Sequence, residues 1–244
     1  MNQIILITGV GKRLGLALAK HFLARGVKVI GTYRTHYTVL DTLASQGADL
    51  YQVDFYQQSQ VDEFIAKVND KFSCLTAIIH NASDWLADNK YKVSSLQSDA
   101  EIMAKMMTIH ASVPYQVNLA LQDLLKNKFT LDNKAADIIH ISDYVAEKGS
   151  KKHIAYAASK TAINSLTLSF SALLAPQVKV NSISPALIKF NEHDDDAYKV
   201  KAFSKALLPR EAGYDEVINT IDFILTSDFI TGRNIQLDGG RHLK

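Results

Sequence analysis

The chain has 244 residues with a formal net charge of +2, and 47% of it is hydrophobic and 21% charged, a composition typical of a globular protein and unlike that of a disordered or fibrous one. So small a charge excess, without a run of Lys and Arg, argues against a nucleic-acid partner; a lone cysteine, Cys74, forbids an intramolecular disulfide and argues against a thiolate metal site. The opening run "MNQIILITGV" has no basic n-region and is too short for a signal peptide or a membrane span, so a soluble, cytoplasmic protein is expected.

Residues 3–8, "QIILIT", form the first predicted strand and run straight into "TGVGKRLG". Gly9, Gly11 and Gly15 stand there at a strand-to-helix turn. Small residues at such a turn let backbone amides approach a pyrophosphate at the N-terminus of the next helix, predicted over 13–25. Arg13 stands where such loops usually carry a small residue and adds a cation beside the phosphates; the plainer reading is a solvated arginine at a helix start. The second strand, 27–33, ends in "TYRT". Where an NAD site has an acid against the ribose 2′-hydroxyl, this chain offers Tyr33 and then Arg34, which can pair a 2′-phosphate with no acid to repel it. NADPH is therefore expected over NADH.

The third strand, 49–54, ends in Asp54, placed to meet an adenine or else to cap the helix over 58–71. A fourth strand over 75–80 leads into "HNAS", and a long helix spans about 98–127, with Met103, Met106 and Met107 suited to core or subunit packing. After a fifth strand, 136–142, comes Asp143, and a helix over 154–175 carries Tyr156 and Lys160 four apart, on adjacent turns. A sixth strand over 178–184, a helix over 214–226 and a seventh strand over 234–240 complete the pattern. The stretch 186–212 breaks the rhythm, long and mixed in charge, and is placed to act as a substrate lid. The acids of "EHDDD" (192–196) suit a helix start rather than a metal, since nothing else supplies ligands at zinc or calcium spacing. Val/Ile-rich strands with little polar alternation, separated by helices, predict an α/β fold: a Rossmann-type doubly wound parallel sheet with helices on both faces. No linker divides the chain, so one domain over 1–244 is expected.

The ordered set "TGVGKRLG", "HNAS" (80–83), "YAASK" (156–160), "NSISPALI" (181–188) and "TGRNIQLDGG" (231–240) resembles the short-chain dehydrogenase/reductase family over essentially the whole chain. The resemblance implies that Tyr156 is the proton donor and that Lys160 lowers the phenol's pKa and hydrogen-bonds the nicotinamide ribose. It also implies cofactor contacts from Gly9, Arg13, Leu14, Gly15, Tyr33, Arg34, Asp54, Phe55, Asn81, Ala82, Lys160, Pro185 and Ile188. Three departures stand out: Asp143 at the family's catalytic serine position, His110 at its asparagine, and Ala186 at the glycine after proline. Arg13, Asp143 and Trp85 together are similar to the pteridine reductase branch, and "YRTHY", "FNEHDD" and "LDGGRH" resemble its bacterial dihydromonapterin reductase group. In that branch an aromatic residue and the loop arginine flank a pterin. Carried over, Trp85 stacks on the pterin face while Arg13 and Ser83 bond its polar edge, next to Tyr156. The resemblance further implies a homotetramer built on the helices over 98–127 and 154–175, with "LDGGRHLK" reaching a neighbouring subunit.

Chemistry gives the carboxylate a reason. A carbonyl under reduction develops oxyanion character, which a hydroxyl helps and a carboxylate repels. A dihydropterin is reduced at C=N, with hydride to carbon and a proton to nitrogen, so Asp143 can orient or relay that proton. The plainer reading makes Asp143 a loop cap. His110 either supports a water path to Lys160 or packs in the core. The expected activity is NADPH-dependent reduction of 7,8-dihydromonapterin to tetrahydromonapterin, with weaker action on dihydrofolate. Two other readings stay open: a carbonyl reductase of the 3-oxoacyl type, which Asp143 disfavours, and a non-catalytic NADPH-sensing regulator, which the presence of Tyr156 and Lys160 disfavours.

Overall fold

The computed structural model describes residues 3–88 and 98–244. Its strands are β1 (Ile4–Ile7), β2 (Lys28–Tyr33), β3 (Asp49–Gln52), β4 (Ala77–His80), β5 (Ala136–Ile141), β6 (Val178–Pro185) and β7 (Asn234–Leu237). They form one seven-stranded sheet in the order β3-β2-β1-β4-β5-β6-β7, with every neighbouring pair parallel. Each predicted strand is present. Those expected over 49–54 and 234–240 are shorter, because the chain turns away at Asp54 and at Gly239 and Gly240, whose φ values are 62° and 75°.

The helices are α1 (Arg13–Ala24), α2 (Val39–Ser45), α3 (Gln58–Lys71), α4 (Asp99–Met107), α5 (Val113–Asp132), α6 (Val145–Lys148), α7 (Ile154–Leu174), α8 (Asp196–Phe203) and α9 (Tyr214–Thr226). The long helix expected over 98–127 is two helices, α4 and α5, joined by a π-helical turn at Thr108–Ser112. A capping box fixes its start: the Ser98 side chain accepts from the Glu101 amide, and the Glu101 carboxylate accepts from the Ser98 amide. Asn133, with φ of 57°, ends α5 in the left-handed conformation. Of the three methionines, Met106 is fully buried and Met103 is exposed. Asp195 caps α8 by accepting from the Tyr198 amide at 2.7 Å, so the "EHDDD" acids do begin a helix.

Alternate residues of each strand face opposite layers. Leu6, Ile78, Ile138 and Val180 pack with Val61 and Phe64 of α3, Val117 and Leu121 of α5, and Phe170 of α7. Ile5, Ile7, Ile79, Ile139 and Ile183 pack on the other side with Leu18 and Phe22 of α1 and Val217 and Ile221 of α9. Cover on both faces is why the strands lack polar alternation. Truncating a fully buried member such as Ile78 or Leu6 to Ala should cost about 2–5 kcal/mol. The sheet order runs β1 to β2 to β3 in one direction and β4 onward in the other. Between the C-terminal ends of β1 and β4 the flanking loops diverge, and the cleft opens there.

Candidate active site

The cleft is lined by the loop after β1, the ends of β2 and β3, the loop after β4, Asp143, Tyr156, Lys160 and the start of the segment after β6. Gly9 has φ of 78°, and a Cβ there would lie 3.0 Å from Ala82 Cα. Gly15 is tighter: a Cβ would stand 2.0 Å from the Gly9 carbonyl oxygen and 2.5 Å from Asn81 Nδ2. These two glycines let α1 sit against the strand ends. The Asn81 side chain donates to the carbonyls of Thr8 and Gly9, each at 3.0 Å, while Thr8 Oγ1 accepts from the amides of Asn81 and Ala82. Asn81 and Ala82, expected at a cofactor, thus also lock the glycine loop. The first turn of α1 has no side-chain cap and no acidic residue, so its leading amides are free to meet an anion.

Arg13 adopts φ of 53°, a conformation costly outside glycine. Its guanidinium donates to Asn191 Oδ1 at 2.8 Å and to the Lys189 carbonyl at 2.7 Å. It therefore ties the loop after β1 to the first residues of the segment read as a lid. Arg34 corrects an expectation. An acid does face it: Asp84 accepts from both guanidinium nitrogens, at 2.8 and 3.3 Å, and from the Tyr56 hydroxyl at 2.8 Å. Asp84 raises the Arg34 pKa, chiefly through that hydrogen bond. The sequence signal was the carboxylate in "NASDW", at the end of a strand two places from β2. Asp54 caps no helix; its Oδ1 accepts from the Tyr56 amide at 3.1 Å in a local turn. Tyr33, Phe55, Leu14, Pro185 and Ile188 all line the cleft.

At the other end, the Tyr156 hydroxyl donates to Asp143 Oδ2 at 2.9 Å, and Asp143 Oδ1 accepts from the Val145 amide at 2.9 Å. One carboxylate oxygen thus meets the phenol and the other holds a loop amide. Lys160 Nζ donates to the Ile141 carbonyl at 2.9 Å. Burial dominates all three groups. It lowers Lys160 to about 8, against the pull of Asp143, and raises the Asp143 carboxyl, opposed by the Val145 amide, Lys160 and the phenol. Tyr156 is pushed well above its ordinary value by burial and then by the Asp143 charge and hydrogen bond. The expectation that Lys160 lowers the phenol is corrected: burial first, and then the carboxylate next to it, raise the phenol and keep it protonated.

Trp85 is 65% exposed, with one face stacked on His153 at 4.0 Å between centroids. Ser83 Oγ lies 2.7 Å from His110 Nε2, and His110 Nδ1 lies 2.8 Å from Ser159 Oγ. The buried ring of His110 stands edge-on to Tyr156, 5.3 Å between centroids. Below this layer, His80, Asn118, His140 and Thr167 form a second buried hydrogen-bonded row. Among the described residues, no group of three or more His, Cys, Asp or Glu could hold a metal ion, and no helix is long and apolar enough to cross a membrane.

A family model described as enoyl-(acyl carrier protein) reductase matches residues 9–242. Dihydromonapterin reductase of Escherichia coli (strain K12) is 49% identical over 240 residues, covering 98% of this chain and 97% of that protein. The protein of the same name from Shigella boydii serotype 4 (strain Sb227) is 50% identical with the same coverage. Among solved structures, 4-hydroxyisoleucine dehydrogenase complexed with NADH matches with a TM-score of 0.87 at 21% identity over 100% of both chains. FolM alternative dihydrofolate reductase 1 from Brucella canis, complexed with NADP, matches with a TM-score of 0.84 at 23% identity, covering 100% of this chain and 95% of that one. These two likenesses bear on the fold alone. The family model and the relatives at 49% and 50% identity place this chain in the short-chain dehydrogenase/reductase family, in the branch that holds the dihydromonapterin reductases.

Proposed function

We propose that the chain is an NADPH-dependent oxidoreductase that reduces the C=N bond of a dihydropterin, 7,8-dihydromonapterin being the foremost candidate and dihydrofolate a weaker one that shares the same ring. The observation that carries this reading is the 2.9 Å hydrogen bond from the Tyr156 phenol to Asp143. A phenol held protonated by burial and a neighbouring carboxylate is a proton donor, and a carboxylate there suits a reaction that develops no oxyanion. The relatives at 49% and 50% identity, named for dihydromonapterin reduction, support the same substrate class.

The residues fit a dinucleotide cofactor. The uncapped start of α1 and the packed glycine loop suit a pyrophosphate, Arg34 suits a 2′-phosphate, and Leu14, Tyr33, Asp54, Phe55, Asn81, Ala82, Pro185 and Ile188 line the remaining length. When bound, the reduced nicotinamide supplies the hydride. Lys160 holds the ribose end of the cofactor, Tyr156 delivers the proton, and Asp143 orients the phenol and relays to it a replacement proton taken from solvent. Trp85 offers its free face to the substrate ring, and Arg13 either bonds the substrate or closes the 186–212 lid through Lys189 and Asn191. A homotetramer is the expected assembly, with outward apolar residues such as Leu168 and Leu173 of α7 suited to a subunit contact, and a cytoplasmic location goes with this chemistry.

The test is a panel of dihydropterins, ketones and 3-oxoacyl thioesters assayed with NADPH and NADH. The reading expects dihydropterin turnover with NADPH preferred at least about tenfold, roughly 1.4 kcal/mol, the scale of one charge-assisted contact. Equal use of NADH overturns the cofactor assignment, and turnover of ketones alone overturns the substrate assignment.

A further inference from the structure

The polarity of the Ser159–His110–Ser83 chain follows from counting protons. Ser159 Oγ lies 2.7 Å from the Tyr156 carbonyl oxygen, which can only accept. A hydroxyl has one proton, so Ser159 spends it on that carbonyl and has none for its other neighbour. His110 Nδ1, 2.8 Å from Ser159 Oγ, must then carry the ring proton and donate it. Burial, with Lys160 adding to it, holds the His110 pKa well below its ordinary value, so the ring is neutral and Nε2 is bare. Ser83 Oγ lies 2.7 Å from Nε2 and 3.4 Å from the Asp84 carbonyl; its only proton goes to the nearer acceptor, Nε2, and its lone pairs turn to the cleft it lines. The phenol of Tyr156 lies near enough to Ser83 for the two to interact, but with Ser83 committed, the phenol's own proton takes Asp143 at 2.9 Å.

We propose that His110 is a positioning residue that fixes Ser83 as a hydrogen-bond acceptor, so that the site selects a substrate offering an N–H donor at Ser83. This rests on the dihydropterin reading and sharpens it. At the reacting end Ser83 then accepts, while the Tyr156 phenol gives its proton to Asp143. A ketone or thioester presents only an acceptor oxygen and meets lone pairs at Ser83, an unpaired contact that costs binding. A reduced pterin carries amino and ring N–H groups that match. The π-helical turn at Thr108–Ser112 places the ring between serines from two separate elements, the loop after β4 and α7, in keeping with the frequent use of such turns at functional sites.

Two measurements test this. The first needs no substrate: long-range ¹⁵N–¹H correlation spectra of protein labelled at its histidine rings, at neutral pH, with the His110 signals identified by their loss in His110→Gln. The expected result is a neutral ring protonated on Nδ1; a proton on Nε2, or a doubly protonated ring, overturns the proposal. The second is a kinetic cycle with dihydropterin. Ser83→Ala should raise KM about tenfold with little change in kcat, His110→Phe should do the same, and the double variant should be no worse than either. His110→Gln, whose amide can donate to Ser159 and accept from Ser83, should recover most of the lost KM, which a merely space-filling role would not predict. Additive losses, or a fall in kcat without a KM change, overturn the proposal. If the parent protein reduces no dihydropterin, the function reading fails while the spectra still decide the polarity.

Discussion

Replacing Asp143 with Asn keeps the shape of the side chain and the contact from the Val145 amide to Oδ1. It removes the charge and turns an amide NH₂ toward Tyr156 in place of the oxygen that accepts the phenol proton at 2.9 Å. A hydrogen bond to an ionised group contributes about 1.5–3 kcal/mol. At 1.36 kcal/mol per tenfold in rate, its loss in the proton-transfer step lowers kcat by about 10–100-fold. Affinity for NADPH should be unchanged, since Asp143 faces the phenol rather than the nucleotide loop. Stability should not fall. Burial holds the folded carboxyl above its ordinary pKa, so the charged form costs stability once the pH passes the unfolded value, and at neutral pH an uncharged amide avoids that cost. The assay is steady-state turnover of dihydropterin at saturating NADPH, with NADPH titration and thermal melts of the same protein. Turnover equal to the parent enzyme would show that Asp143 serves only to hold the Val145 amide. Asp143→Ser, which restores a hydroxyl, should lower dihydropterin turnover by about 10²-fold while any trace ketone activity holds or rises.

Lys160, lowered to about 8 by burial, should set an alkaline limb near that pH in kcat/KM, activity falling as the ammonium loses its proton. Because Asp143 holds the Lys160 pKa up, Asp143→Asn should move this limb to lower pH, and an unmoved limb would detach it from Lys160. Arg34→Ala should erode NADPH preference chiefly through the NADPH KM, whereas Asp84→Asn, which releases Arg34 from its carboxylate partner, should tighten NADPH; a weaker NADPH KM in Asp84→Asn contradicts the competition between Asp84 and a 2′-phosphate. Trp85→Ala should weaken dihydropterin binding by about 1–3 kcal/mol and leave the melting temperature in place, because the residue is 65% exposed; unfolding instead would remove it from the cleft.

The sheet was legible because its signals are local. Strands of Ile and Val with no polar alternation, glycines at the first turn, and Tyr156 and Lys160 on one helix face each depend on near neighbours in sequence. What escaped the reading depends on partners far along the chain. Arg34 was read as free for a phosphate, yet its partner Asp84 is 50 residues away. Arg13 reaches Asn191 across 178 residues. The π turn was invisible because α4 and α5 continue one apolar pattern through it, and α2, α6 and α8 are too short for periodicity to show. His110 had no assigned role because the two serines it meets, Ser83 and Ser159, lie on other elements. The Lys160 effect on the phenol was misjudged for a physical reason: the phenol is buried, and where the resemblance carries a serine at position 143 this chain has a carboxylate that raises it further.

The most direct test of the central claim is a single anaerobic turnover of 7,8-dihydromonapterin with NADPH deuterated at the transferable position, followed by mass analysis of the pterin. The account predicts a tetrahydropterin carrying one deuterium on the former C=N carbon, formed at a rate that falls in Tyr156→Phe and Asp143→Asn. Recovery of unlabelled, unreduced dihydropterin while a 3-oxoacyl thioester gains the deuterium would contradict it.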